Sequence, residues 1–437
     1  MKTRAIVEYL LAAVLVLILG SLTGWYFFLR TQTKTTANQS AARGFGIAIP
    51  EGRANGDVTV GSARSETGAS TEQTTQRPAQ LWRVEEKPTA GHAFVGSGNF
   101  LRLRYVERAG GYVFDANAET GLRTRLTNTL LPKIYEAQFS ENGHVFERSV
   151  DTLGAVTTFA GTVSTSTNPS SATSPAMTLL GSYLAKNIIQ LSVHPVSGAL
   201  LYTVADGGGG AVMSAEWDGQ KTKTLLASAI LNWQPAILED GRTFLVQAAA
   251  DGIPGYGYEL RKDGTLSRLL GPVPGLVTRV RPSSKPGTDA LLWSQSVRGE
   301  LRLFVRVGQN ANSVQLPVRT TADKCAWVSD SGPASAVAKV MADKLPGTAA
   351  KDLIAYCGVP QGSPGQTFLD NWYRGAVHSS DSLWRIDADA GTAELVFTPP
   401  SNTPIDIENI EADRAGSFLA FTNAADKSLW LYRLTRE

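Results

Sequence analysis

Three features of the sequence predict an all-β fold of repeated four-stranded units for residues 80–437. Short β-branched and aromatic runs alternate with turns rich in Gly, Asp, Asn and Ser. No apolar pattern at helical spacing persists long enough to make a major helix. A unit of forty-odd residues recurs: a strand, a Gly-containing turn, a strongly apolar strand, a second turn, an alternating strand and a more polar fourth.

The repeats can be read in order. Residues 188–228 give IIQLSVHPVSG, ALLYTVAD, AVMSAEWDG and QKTKTLLAS, and residues 233–272 repeat the scheme as WQPAILEDG, RTFLVQAAAD, YGYELRKDG and TLSRLLGP. Residues 276–320 follow with LVTRVRPSSKPG, DALLWSQSV, ELRLFVRVG and SVQLPVRT. Turn glycines Gly198, Gly241 and Gly287 recur at spacings of 43 and 46 residues, close to the period of a propeller blade. Residues 100–127 and 134–184 read as two earlier blades, and residues 325–399 as a later one with a long excursion. Residues 407–434 supply only three strands, so the ring has an open edge unless another segment pairs with it. Leu81 to Val84 (LWRV) is a free strand of suitable length, which gives a seven-bladed β-propeller closed by its amino-terminal strand; six or eight blades are the alternatives.

Composition narrows the function. Lys and Arg number 41 against 39 Asp and Glu, a formal net charge of +2, which gives no basis for a nucleic-acid footprint. Charged residues make up 18 %, apolar ones 43 %, with 42 Gly and 21 Pro, as expected of many short half-buried strands.

Residues 9–29 (YLLAAVLVLILGSLTGWYFFL) are apolar or small throughout, about the 20 residues a helix needs to cross a bilayer. Lys2 and Arg4 precede the segment, Trp25 and Tyr26 sit near its far end and Arg30 closes it. The expected topology is a short cytoplasmic tail (1–8), a single span (9–29) in contact with the lipid bilayer, and everything else outside. The alternative, a cleaved secretory signal, needs a shorter apolar region and a small-residue cleavage site, which is not evident. Residues 30–79 are rich in Thr, Ser, Ala, Gly and Gln and read as a disordered tether, with GFGIAIP (44–50) its sole apolar island. Residues 164–176 (STSTNPSSATSPA) read as a disordered insertion within the propeller.

The stretches ADRAGSFLAFTNAADKSLWLYRL (412–434), LEDGRTFLV (238–246) and DSLWRIDADAG (381–391) make residues 80–437 similar to WD40-like propellers of the TolB type. Through KCAWV, AYCGVP, NWYRG and SLWRID the chain also resembles membrane-anchored propeller proteins of small-genome bacteria. That resemblance implies a fold and an envelope location, and no activity.

Two constellations stand out. Cys325 and Cys357, the only cysteines, fall on the first and second strands of one blade, where antiparallel neighbours come within disulfide reach. A bridge implies an oxidising compartment, and two buried free thiols are the alternative. The stretch 358–382 (GVPQGSPGQTFLDNWYRGAVHSSDS) is a long loop carrying Asp370, Trp372, Tyr373, Arg374 and His378. Trp, Tyr and Arg on a loop held by a rigid scaffold are typical interface anchors. The plainer expectation is that Trp372 and Tyr373 cover the blade edge while Arg374 satisfies loop carbonyls.

Catalytic signatures are sparse. His92, His144, His194 and His378 make no metal-binding spacing, no G-x-S-x-G elbow occurs, and Gly207 to Gly210 lacks the Lys and helix of a phosphate loop. No cofactor, metal or catalytic residue is therefore expected. The leading expectation is a membrane-anchored extracytoplasmic scaffold that binds a protein or an envelope polymer. The alternative is a glycan-cleaving hydrolase whose carboxylates gather from several blades at the channel mouth.

Overall fold

The computed structural model describes residues 79–165, 177–283, 288–308, 311–328 and 353–434. The expected span at 9–29, the tether up to residue 78, most of the Ser-rich insertion and Gly287 lie outside them. Among the described residues no helix is long and apolar enough to cross a membrane.

Seven four-stranded antiparallel sheets succeed one another along the chain, spanning residues 89–125, 134–183, 190–228, 233–274, 277–315, 325–397 and 407–433. The last sheet takes its outermost strand from the amino-terminal side: Leu81–Glu85 pairs antiparallel with Leu429–Arg433, with Leu81 opposite Tyr432 and Arg83 opposite Trp430. The chain is a seven-bladed β-propeller closed by its own first strand. One boundary differs from expectation. Blade 1 starts at Thr89, because the inner strand Thr89–Val95 (TAGHAFV) carries small residues and a histidine where the other blades show an apolar signature.

A distinct buried cluster fills each of the seven blade-to-blade interfaces, and this is what makes the sheets a ring. Leu103 and Tyr105 of blade 1 pack with Phe418 and Leu431 of blade 7; Phe146 of blade 2 packs with Leu200 of blade 3; Leu292 of blade 5 packs with Ala355 of blade 6. The other four interfaces repeat the pattern. Second strands lie sandwiched on both faces and read as continuous apolar runs, as in Phe418–Asn423, where every residue is buried.

Each strand leads directly into its neighbour, so the connections divide between two ends. The lower face carries the turns from first to second and from third to fourth strand. The upper face carries the second-to-third turns and the blade-to-blade links. The D-x-x-G turn of ADRAG is a lower-face device. The Asp413 carboxylate accepts the amides of Ala415, Ser417 and Phe418 at 2.6–3.0 Å, while Gly416 adopts a left-handed φ of 62°. Its neighbour Arg414 crosses the channel mouth to pair with Glu141 of blade 2 and Glu239 of blade 4.

Candidate functional site on the upper face of blades 5 to 7

The excursion of blade 6 is shorter than the sequence suggests. The second strand runs on through Pro360 and the third begins at Asp381, which leaves 361–380 as the loop, with a six-residue helix at Phe368–Tyr373. Phe368 and Trp372, spaced four apart, face inward against Leu301 of blade 5.

Contacts to blades 4, 5 and 7 and to the turn before the inner strand of blade 6 fix this loop. The Asp370 carboxylate accepts the amide of Asp251 in blade 4 at 2.9 Å. Gly299 of blade 5 lies so close beneath that a Cβ there would come within 2.1 Å of the Gly365 carbonyl oxygen, and its φ of 75° also favours glycine. The Tyr373 hydroxyl donates to Asp323, which is also paired with Arg279 at 2.9 Å. The Trp372 indole Nε1–H donates to both oxygens of Asp406 at 3.0 and 3.1 Å, and His378 Nδ1 lies 3.0 Å from the same carboxylate. Four of the five residues singled out on this stretch are thus brought together as anchors. Arg374 is exposed.

Beneath the loop sits a polar cluster whose members the sequence did not flag. Lys324 is fully buried at the upper end of blade 6, with Nζ 2.7 Å from Asp381 Oδ2, 2.5 Å from Asp406 Oδ1 and 3.1 Å from both Ser379 Oγ and the Ile407 carbonyl. The Trp372 ring covers the ammonium, its centroid 4.5 Å away. Burial opposes the charge of Lys324, but the two carboxylates outweigh it and its pKa moves up. Burial likewise pushes the aspartates up. For Asp406, Lys324 together with the hydrogen bonds from Trp372 and His378 reverses the direction, and its carboxyl is held below the usual range. Asp381, which also feels the negative charge of Asp406, stays raised.

Local sequence explains how the cluster forms. Thr321 begins a 3-10 turn over Ala322–Lys324 that delivers the lysine inward just before the inner strand. Gly358 leaves room for it: a Cβ there would lie 2.8 Å from Ile407 Cβ and 3.2 Å from Asp381 Oδ2. Lys324 stands in KCAWV and Asp381 opens DSLWRID. These were the available signals, but nothing in a linear reading pairs residues 324, 381 and 406.

Cys325 and Cys357 face each other across the first and second strands and form a disulfide. The pair continues the same inner edge of blade 6, one residue from Lys324. Among the described residues no group of three or more His, Cys, Asp and Glu is placed to hold a metal. Two small hollows between strands of neighbouring blades are lined mainly by apolar side chains, each with room for about one water.

No protein-family model and no curated relative matches the chain. Solved propellers do. The β-propeller domain of Cps50 (Swd1) from Myceliophteria thermophila aligns over 81 % of this chain and 100 % of its own, with 9 % identity and a TM-score of 0.48. A gluconolactonase from Xanthomonas campestris aligns over 81 % of this chain and 89 % of its own at 13 % identity, TM-score 0.38. TolB from Agrobacterium tumefaciens covers 54 % of this chain and 86 % of its own at 12 % identity, TM-score 0.36. These are likenesses of fold alone. They transfer no activity.

Proposed function

We propose that the chain is an extracytoplasmic binding scaffold: residues 1–8 inside the cell, 9–29 across the cytoplasmic membrane, 30–79 a tether, and the propeller outside presenting its upper face to a protein or an envelope polymer. The observation that carries this reading is that five of the twelve exposed large apolar side chains among the described residues stand on upper-face turns and links, while Phe100 and Leu122 are exposed at the lower end of blade 1. Leu153, 91 % exposed, and Ile253, 62 % exposed, crown the second-to-third turns of blades 2 and 4. Leu130, Leu231 and Val297 stand exposed at the same end of blades 1 to 5. Large apolar residues cost free energy in water unless something covers them, and side chains presented from successive rigid turns make a broad contact surface. The point of attachment agrees with this. Gln80 lies at the lower end of the closing strand, where its carbonyl accepts the Arg433 amide, so the described residues begin at the lower face. A tether of about 50 residues has a coil reach of roughly 40 Å.

The test is crosslinking of the full-length protein in its own membrane, wild type beside Leu153→Ser/Ile253→Ser. The expected result is a crosslinked species that the double variant loses while remaining folded and membrane-bound; equal crosslinking by both would exclude the upper face.

One observation favours the hydrolase. Burial pushes Glu411, on the inner strand of blade 7, up to about 8, the direction a general acid requires. Two other inner-strand glutamates are neutralised, Glu136 by Arg148 and Glu408 by Lys427. Purified envelope glycan incubated with wild type and with Glu411→Gln decides the matter: release of fragments by wild type only would establish the hydrolase and displace the scaffold.

A further inference from the structure

The buried cluster of blade 6 places an amine, a carboxyl group to be attacked and a second carboxylate within bonding distance, out of reach of water. We propose that Lys324 and Asp381 join in an intramolecular isopeptide bond, with Asp406 as the base that the reaction needs.

Each atom has a place in this chemistry. Lys324 Nζ is hydrogen-bonded to both carboxylates at once, at 2.7 and 2.5 Å, so a proton can pass from the ammonium to Asp406 without rearrangement. Asp406 is placed for this role, since Trp372, His378 and Ser379 hold its oxygens, and it takes the proton transiently, uphill from the resting ion pair. The freed amine then attacks Cγ of Asp381, and Asp406 passes the proton it has taken to the departing oxygen. Asp381 Oδ2 accepts the Ile407 amide at 2.8 Å, a backbone donor positioned for the oxyanion that develops there. Asp381 Oδ1 accepts no hydrogen bond among the described residues and is the oxygen free to depart. It adjoins the apolar slot formed by Leu383, Phe397, Ile405 and Phe421. The balance is closed: the amine loses two protons, Asp381 loses one oxygen, the C–N bond forms, the C–O bond breaks and one water leaves. No oxidant, cofactor or metal takes part. The reaction runs once per molecule, and proximity supplies most of what a single turnover needs.

The product would brace blade 6 twice over. The disulfide ties its inner strand to the second strand, and the amide would tie the residue before that strand to the start of the third. Both links lie beneath the loop 361–380, so this loop would rest on a covalently closed base.

The decisive measurement is the intact mass of the full-length folded protein after reduction, with tandem mass spectrometry of its peptides. The expected result is a chain one water, about 18 Da, lighter than its sequence, and a branched peptide joining Lys324 to Asp381. Asp406→Asn should leave the full sequence mass while circular dichroism still reports the β fold. Should that variant fail to fold, Asp381→Asn provides the check: an amide at this position expels ammonia, and the loss becomes about 17 Da. Wild-type protein that is folded and disulfide-bonded yet keeps its full mass after prolonged incubation would overturn the proposal, leaving a purely ionic cluster. A loss of water mapped to any other pair of residues would overturn it equally.

Discussion

Glu147 occupies an unusual position for an acid. It lies on the second strand of blade 2, 1 % exposed, and neither carboxyl oxygen has a hydrogen-bond partner among the described residues. Gly111 of blade 1 packs against it so closely that a Cβ there would lie 2.8 Å from Oε2. Burial pushes the pKa up to about 8 from an ordinary 4.5, so the folded protein holds the proton where the unfolded chain has released it. Because the native state binds more protons between those two values, stability falls as pH rises through that window, by up to about 1.4 kcal/mol per unit. Below 4.5 both states are protonated, and the effect vanishes. Glu147→Gln removes the titration while keeping the shape. The expected outcome is stability within about 1 kcal/mol of wild type near pH 5 and a clear excess over it at pH 9. Urea unfolding at a series of pH values checks this, and parallel curves for the two proteins would contradict it.

At the scale of the element, blade 6 concentrates the stabilising chemistry. Its disulfide closes a segment with a sequence separation of 32 residues, for which the chain-entropy account gives about 3–4 kcal/mol. Reduction, or Cys325→Ser/Cys357→Ser, should therefore lower the melting temperature by about 5 °C in a domain of this size; a melt insensitive to reductant would mean that the bridge is not made in the native protein. The same blade shows where a linear reading succeeds and where it stops. Strand pairing was legible because alternation and turn residues are local properties, so Cys325 and Cys357 could be placed opposite each other from sequence. Trp372, Tyr373 and Asp370 were legible as residues of consequence, with packing against the blade the plainer of the two readings for the aromatic pair. They point down into the propeller, since the loop doubles back through a one-turn helix that a six-residue segment cannot announce. Lys324 was invisible for a related reason: its partners stand 57 and 82 residues away, and a lone lysine before a strand looks like any solvated one.

Over the whole molecule, the repeat determined the architecture because each blade must bury both faces, and only a closed ring gives every blade two neighbours. Hence the three-stranded remainder at 407–434 required a fourth strand, and LWRV was there to supply it. The exception, blade 1, shows the limit of the argument. Its inner strand lines the channel beside His92, whose pKa burial lowers to about 4, and a strand facing a narrow channel need not look apolar. Ring closure also makes the strongest global prediction. Removing residues 1–78 leaves every described contact intact, so the propeller should gain no new self-association and keep a single cooperative transition. Removing residues 1–85 takes away Leu81–Glu85, withdrawing Val84 from the cluster shared with blade 1 and Leu81 from the one shared with blade 6. It also bares the outer edge of Leu429–Arg433. The lost apolar burial alone amounts to about 4 kcal/mol, and an unpaired edge invites association with a second chain. The longer truncation should melt several degrees lower and self-associate in size-exclusion chromatography. If both truncations behave alike, the closing strand does not hold the ring, and the stability of the propeller resides in the seven interfaces alone.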